Sequence, residues 1–170
     1  HRRTLAVLAA ALVLPCAALA QTETKWPTKP VKWVVPFPPG GAMDVIARTL
    51  GDRLAQDLGQ PFVIENRPGA GGNIGADYVA KQPADAHTVM ITSIGMATNK
   101  ALYAKLGYDP VKDFAPVSLL AVVPNVLVVN ATRSADKSVK DVLAHSRREP
   151  GKLTYASAGN GTSIHLAGEV

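Results

Sequence analysis

An α/β fold around a mainly parallel sheet is what this sequence predicts. Three observations lead there. Short β-branched runs alternate with stretches of helical period. The turns that pass from such a run into a helix are rich in Gly, Ser, Asn and Pro. The 170 residues are 47% apolar, 5% aromatic and 18% charged, which fits a folded domain and neither a disordered nor a fibrous chain.

The first twenty residues stand apart. Arg2 and Arg3 precede the apolar run 5–14, "LAVLAAALVL", and Ala18-Leu19-Ala20 gives a small-residue cleavage pattern before Gln21. The run is too short to span a membrane. Residues 1–20 are therefore expected to be a secretory signal peptide cut after Ala20; the competing reading is a buried N-terminal helix. Cys16, the sole cysteine, lies in this segment, and Pro15 before it suits lipid attachment poorly. The mature chain would then carry no thiol, hence no disulfide and no cysteine-ligated metal. Without the two arginines the formal charge falls from +5 to +3, with the basic residues scattered. No basic run of the kind nucleic acid requires is present.

Each element follows from its own pattern. A first strand is predicted at 31–35. Ile46, Leu50, Leu54 and Leu58 recur at i, i+4 and mark an amphipathic helix over 44–58, with Gly59 placed for a left-handed stop. Residues 62–64 read as a strand, 65–72 ("ENRPGAGG") as a loop, and 73–81 as a helix with Asn73 as its N-cap. Residues 88–92 read as a third strand and 97–103 as a helix. The β-branched runs 117–122 and 126–129 read as strands on either side of Pro124 and Asn125. Ser138 and Asp141 form a capping pair for a helix over 139–148. A further strand is predicted at 153–156, and "SAGNGT" at 157–162 leads into a helix at Ser163. That helical pattern has barely begun at Val170, so further sequence is expected beyond it.

Four strand-to-helix turns share one character: 36–44, 65–73, 93–97 and 157–163. In a parallel sheet such turns gather at the C-terminal edge of the strands, where open α/β sheets bind ligands. The helices that follow point free N–H groups there, which attract carboxylate or phosphate. In "PFPPGG", Pro38 and Pro39 stiffen the turn, and Gly40 and Gly41 remove side chains so that a ligand can approach the backbone. A plain connector that needs a positive φ angle accounts for the same residues equally well. Asp44 either complements its helix dipole or accepts a bond from a ligand. Arg67 either anchors its own loop or pairs with a ligand carboxylate. His165 is either packed or donates to an anion.

Signatures of catalysis are lacking. Gly40-Gly41 lacks the Lys-Ser/Thr of a phosphate loop. "GAGGNIGA" at 69–76 has Ile74 where the last glycine of a dinucleotide fingerprint belongs, and neither H-E-x-x-H nor G-x-S-x-G occurs. His87, His145 and His165 are not at metal-ligand spacing. No catalytic residue, metal or cofactor is expected.

Five stretches together resemble the substrate-binding receptors of tripartite tricarboxylate transporters, the Bug-type receptors. They are "WPTKPVKWVVPFPPGGAMDVIAR", "GQPFVIENRPGAGGNIGADYVAK", "LYAKLGYDPVKDFAPVSLLA", "VPNVLVVN" and "PGKLTYASAGNGTSIHLAGE", in the family's order and over nearly all of the mature chain. The resemblance implies a periplasmic, two-lobed receptor of the Venus-flytrap, type II periplasmic binding protein class. It also implies that this chain is truncated. Lobe 1 would be 21–123, and 124–170 would hold the hinge crossing, near 125–130, and the start of an incomplete lobe 2. The implied ligand is a small carboxylate: a di- or tricarboxylate, an acidic amino acid or an aromatic acid. It is handed to membrane transporter subunits. One grip loop matches Phe37, Pro38, Pro39, Gly40 and Gly41, with Asp44 behind it. The other matches Ser157, Ala158, Gly159, Asn160, Gly161 and Thr162, followed by His165. Ala70, Gly71, Asn73, Thr92, Ser93 and Gly95 would line the first lobe's side. Ala86-His87 and Gly107 depart from the family's usual residues, away from the grip loops.

By this reading helix-start amides supply a partly positive concavity, and lobe closure excludes water and strengthens the bonds. Two other readings compete. One is a secreted α/β hydrolase-like enzyme with Ser157 or Ser163 as nucleophile and His165 as base. The other is a non-functional receptor fragment.

Overall fold

The structure is a computed structural model that describes residues 25–169. The signal-peptide expectation, with Cys16, lies outside the described residues.

Strand β1 (Val31–Val35) is the centre of the sheet. Its Val31, Val34 and Val35 are fully buried, the near-continuous apolar run of a strand covered on both faces. Strand β2 (Phe62–Asn66) and strand β3 (Thr88–Met90) flank it in the order β2-β1-β3, both parallel to it, with Trp33 opposite Ile64 and Val89. Helix α1 (Ala42–Leu58) connects β1 to β2. It lays Met43, Ile46, Ala47, Leu50 and Leu54 on a core of Trp33, Val35 and Ile91. It stops where expected: Gly59 has φ 73° and its N–H donates to the Ala55 carbonyl at 3.0 Å. Helix α2 (Asn73–Ala80) connects β2 to β3, and helix α3 (Gly95–Leu102) follows β3. Helices α4 (Val139–Arg148) and α5 (Ser163–Glu169) complete the order.

In α4 the Ser138 Oγ accepts from the Asp141 N–H at 3.2 Å, as the sequence predicts, while the Asp141 carboxylate accepts from the Lys137 N–H at 3.1 Å, one residue before the cap. Several expectations are corrected. Residues 117–122, 126–129 and 153–156 form no strand among the described residues; Val117 is 92% exposed and Val128 80%. β-branched composition makes a segment fit a sheet, but a strand also needs a hydrogen-bonded neighbour, and here none is supplied. Strand β3 ends at Met90 rather than 92, β2 runs on to Asn66, and α3 begins at Gly95 rather than 97. Asn73 is not the N-cap of α2. Gly72, at φ 96°, takes that place, and Asn73 turns its amide inward.

Candidate functional site

The parallel sheet puts the starts of α1, α2 and α3 at one edge, each after the end of a strand. None of the three has a side-chain cap. Their N-caps are Gly41, Gly72 and Ile94. Helix α4, which follows no strand, carries its serine cap. An uncapped helix start leaves N–H groups for another acceptor.

The first turn is held from behind. Gly40 has φ 84°, a conformation glycine tolerates, and its N–H donates to Asp44 Oδ2 at 2.9 Å. Asp44, 4% exposed, also accepts from Arg48 Nε and Nη2 at 3.0 Å each and from Asn66 Nδ2 at 3.0 Å. Arg48 first, then the Gly40 amide and Asn66, hold its carboxyl far below the usual carboxylate range. Asn66 Nδ2 reaches the Phe37 carbonyl as well, at 3.1 Å. Gly40 supplies the positive φ, while Gly40 and Gly41 lie exposed with open space at Gly40. The Gly40 amide is in use. The amides of Gly41, Ala42 and Met43 have no acceptor among the described residues. Neutralisation of Asp44 by Arg48 matters here, because an uncompensated carboxylate beside these donors would repel an anion.

The turns also meet one another. Pro36 and Phe37 lie against Gly72, with a Cβ added there 3.5 Å from each ring. A Cβ at Gly75 would come 2.7 Å from Pro36 Cβ. On its other side Gly71 abuts the carbonyl oxygen of Asn160, and Gly95 lies near the Gly161 carbonyl, 3.5 Å from an added Cβ. Loop 157–162 therefore rests on the 70–73 turn and on α3. Ser157, Ala158 and Asn160 are exposed and Gly159 is open, with φ 112°. Gly161 and Thr162 are buried. The Gly161 N–H donates to His165 Nδ1 at 3.4 Å, and Thr162 donates through N and Oγ1 to the Gly159 carbonyl at 3.2 and 2.7 Å. Both amides hold the loop's own shape. The amides of Ala158 and Asn160 have no acceptor among the described residues.

Thr92 is exposed and Ser93 half-buried at the entry to α3, where the Ser93 carbonyl accepts from the Met96 N–H at 3.0 Å. Ala70 is exposed at φ 48°. Asn73 lies beneath the surface: its Oδ1 accepts from Asn99 Nδ2 at 2.6 Å and from the Tyr108 hydroxyl at 2.7 Å. Arg67 anchors its own loop, donating to Glu65 at 2.6 Å with its guanidinium 3.5 Å above the Tyr78 ring. Burial works against the Glu65 charge, but Lys32 and Arg67 outweigh it and lower the carboxyl below its ordinary value. A cavity of about 310 Å³ lies elsewhere, lined by Lys100, Tyr103, Ala104, Leu106, Tyr108 and Asp109. None of the grip-loop residues lines it. Among the described residues no helix is long and apolar enough to cross a membrane, and no group of His, Cys, Asp and Glu is arranged to hold a metal.

Sequence reasoning missed Arg48 and Asn66 behind the first turn and Asn99 beneath the second. Arg48 was readable from its i, i+4 distance to Asp44. The others act across gaps in sequence that no local pattern encodes.

Three strand-to-helix turns and loop 157–162 thus gather unclaimed backbone amides around the 70–73 turn. The profile described as "Tripartite tricarboxylate transporter family receptor" matches residues 46–170. This chain belongs to that family. It is 37% identical to Protein BugT of Bordetella pertussis over 170 residues, which is 99% of this chain and 52% of BugT. The solved structure "R. palustris Rpa4515 with adipate" superposes with a TM-score of 0.80 at 45% identity, over 85% of this chain and 48% of that one. "Structure of periplasmic binding protein BugD" superposes at 0.72 with 32% identity, over 84% and 48%. The chain spans about half the length of the curated relatives it matches. The fold is that of about half of a periplasmic binding protein, the class named for BugD.

Proposed function

We propose that this protein contributes to a periplasmic receptor that captures a small carboxylate for a tripartite tricarboxylate transporter. The observation that carries the reading is the set of unclaimed amides at Gly41, Ala42 and Met43 and at Ala158 and Asn160, in two turns that both pack against the 70–73 turn. Preorganised N–H groups at a helix start favour an anion and need no bond to be made or broken. The adipate in a relative of 45% identity supports a dicarboxylate. In this reading the turns at 36–41 and 157–162 grip one carboxylate, and Ala70, Gly71, Asn73, Thr92, Ser93 and Gly95 shape the space around the rest of the molecule. Asp44 acts through the turn it holds, since its oxygens are taken by Gly40, Arg48 and Asn66.

Lobe 1 extends to about residue 123, the crossing near 125–130 is the hinge, and lobe 2 begins after it. Secretion through a signal peptide cut after Ala20 and transient delivery to membrane transporter subunits complete the proposal. A thermal-shift screen tests it. Adipate and related di- and tricarboxylates should raise the melting temperature by binding the native state alone, while the uncharged diamide of adipic acid should not. Shifts given by amines or sugars and by no acid would refute it.

A further inference from the structure

Loop 157–162 gets its shape and its place from different bonds. Its shape is internal, through Thr162 to Gly159 and Gly161 to His165. Its place is external. The Tyr103 hydroxyl donates to the Asn160 carbonyl at 3.1 Å, and the Thr98 hydroxyl lies 3.4 Å from the Gly161 carbonyl. These contacts join residues 57 and 63 apart in sequence. Thr98 Oγ1 is also 3.4 Å from the Gly95 carbonyl and 3.5 Å from that of Ile94, so one proton is shared among three acceptors. Tyr103 serves a single carbonyl and carries more of the hold.

The surface beneath the loop is shaped for it. A Cβ at Gly71 would collide with the Asn160 oxygen. A Cβ at Gly161 would meet Asn99 Oδ1 at 2.8 Å and Leu102 Cδ1 at 3.1 Å. Asn99 cannot swing aside, because it is 2% exposed and its Nδ2 is bonded to Asn73, which Tyr108 holds in turn. Its Oδ1 is buried without a partner beneath Gly161.

Resting on the acid-binding reading, we propose that Tyr103, assisted by Thr98, is a positioning residue for the ligand loop. It docks the loop by the carbonyls of Asn160 and Gly161, and so sets where the free amides of Ala158 and Asn160 stand over the 70–73 turn and α3. Neither residue touches the ligand. They determine how long the second half of the grip stays in place, and with it the residence time of the bound acid.

Hydrogen exchange and adipate binding test this on the 170-residue chain, with Tyr103→Phe and Gly71→Ala as variants. Phenylalanine keeps the ring and removes one hydrogen bond. Peptides spanning 157–165 should exchange about fivefold faster in Tyr103→Phe, the factor expected for one net hydrogen bond. Peptides of β1 and α1 should be unchanged, which shows that the fold is intact. Adipate should dissociate faster by a similar factor with little change in association rate. Gly71→Ala, which obstructs the loop, should free it further. Loop exchange equal to the wild-type value in Tyr103→Phe would overturn the docking. Faster loop exchange with unchanged adipate dissociation would overturn the positioning role. If the wild-type chain bound no adipate while the variant loop still exchanged faster, the docking would stand and the acid-binding reading would fall.

Discussion

Gly51 in α1 and Gly75 in α2 are both buried inside helices, and replacement of each by alanine should have opposite effects. Helix propensity alone favours alanine over glycine by roughly 1 kcal/mol at both. The surroundings decide the sign. A Cβ at Gly51 would lie 3.4 Å from Ile64 Cδ1 and from Phe62 Cβ, close to ordinary contact, with the end of the Ile64 side chain free to give. A Cβ at Gly75 would lie 2.7 Å from Pro36 Cβ and 3.1 Å from Pro36 Cα and the Arg67 carbonyl oxygen. All three belong to a ring or to backbone, so nothing can rotate away. Overpacking costs about 1–3 kcal/mol, and the rigid contact places Gly75 in the upper half of that range. The net expectation is a gain of up to about 1 kcal/mol for Gly51→Ala and a loss of about 1–2 kcal/mol for Gly75→Ala. For a chain of this size that is a rise of about 2–4 °C against a fall of about 2–8 °C. Thermal unfolding by circular dichroism reads both. A melting temperature for Gly75→Ala at or above wild type would refute the close apposition of α2 and Pro36, and with it the way the first turn is set against the second.

Further outcomes follow from other residues. The depressed carboxyl of Asp44 means that the folded chain gains stability from the ionised form above the unfolded carboxylate range, and loses it as pH falls below about 4. Asp44→Asn should therefore flatten the fall in melting temperature between pH 5 and pH 3, and slopes equal to wild type would contradict the contact set. Ser138→Ala should cost helix α4 about 0.5–2 kcal/mol of local stability, read as lost amide protection over 139–148. The run 117–129 holds no charged residue and leaves Val122 83% and Val128 80% exposed. Val122→Lys should lower self-association in sedimentation velocity, because a charge obstructs intermolecular β-pairing of an exposed apolar run; an unchanged monomer fraction would contradict that.

The sheet and the helices packed on it were legible because local signals and tertiary demands coincide there. The apolar β1, the i, i+4 stripe from Ile46 to Leu54 and the glycine stop at Gly59 each appear where periodicity puts them. The family and the fold were read from motifs spread over residues 26–169, and the profile and structural matches bear both out. The runs at 117–122, 126–129 and 153–156 were misread as strands, since propensity says nothing about whether a pairing neighbour is supplied. Asn73 was misread as a cap because a side chain that suits a helix start also suits a buried amide network, and only the fold brings Asn99 and Tyr108 to it. Gly40 shows the limit at the site itself. Its positive φ was readable, but the claim of Asp44 on its amide was not.

The most direct measurement is an amide-resolved NMR titration of the chain with adipate. Binding through unclaimed helix-start amides predicts shifts concentrated at Gly41, Ala42 and Met43 and at Ala158 and Asn160, with Gly40 and Gly161 moving less because their N–H groups are already bonded. Shifts confined to the cavity lined by Lys100, Tyr108 and Asp109, or no shifts at saturating acid, would contradict the sheet-edge cradle.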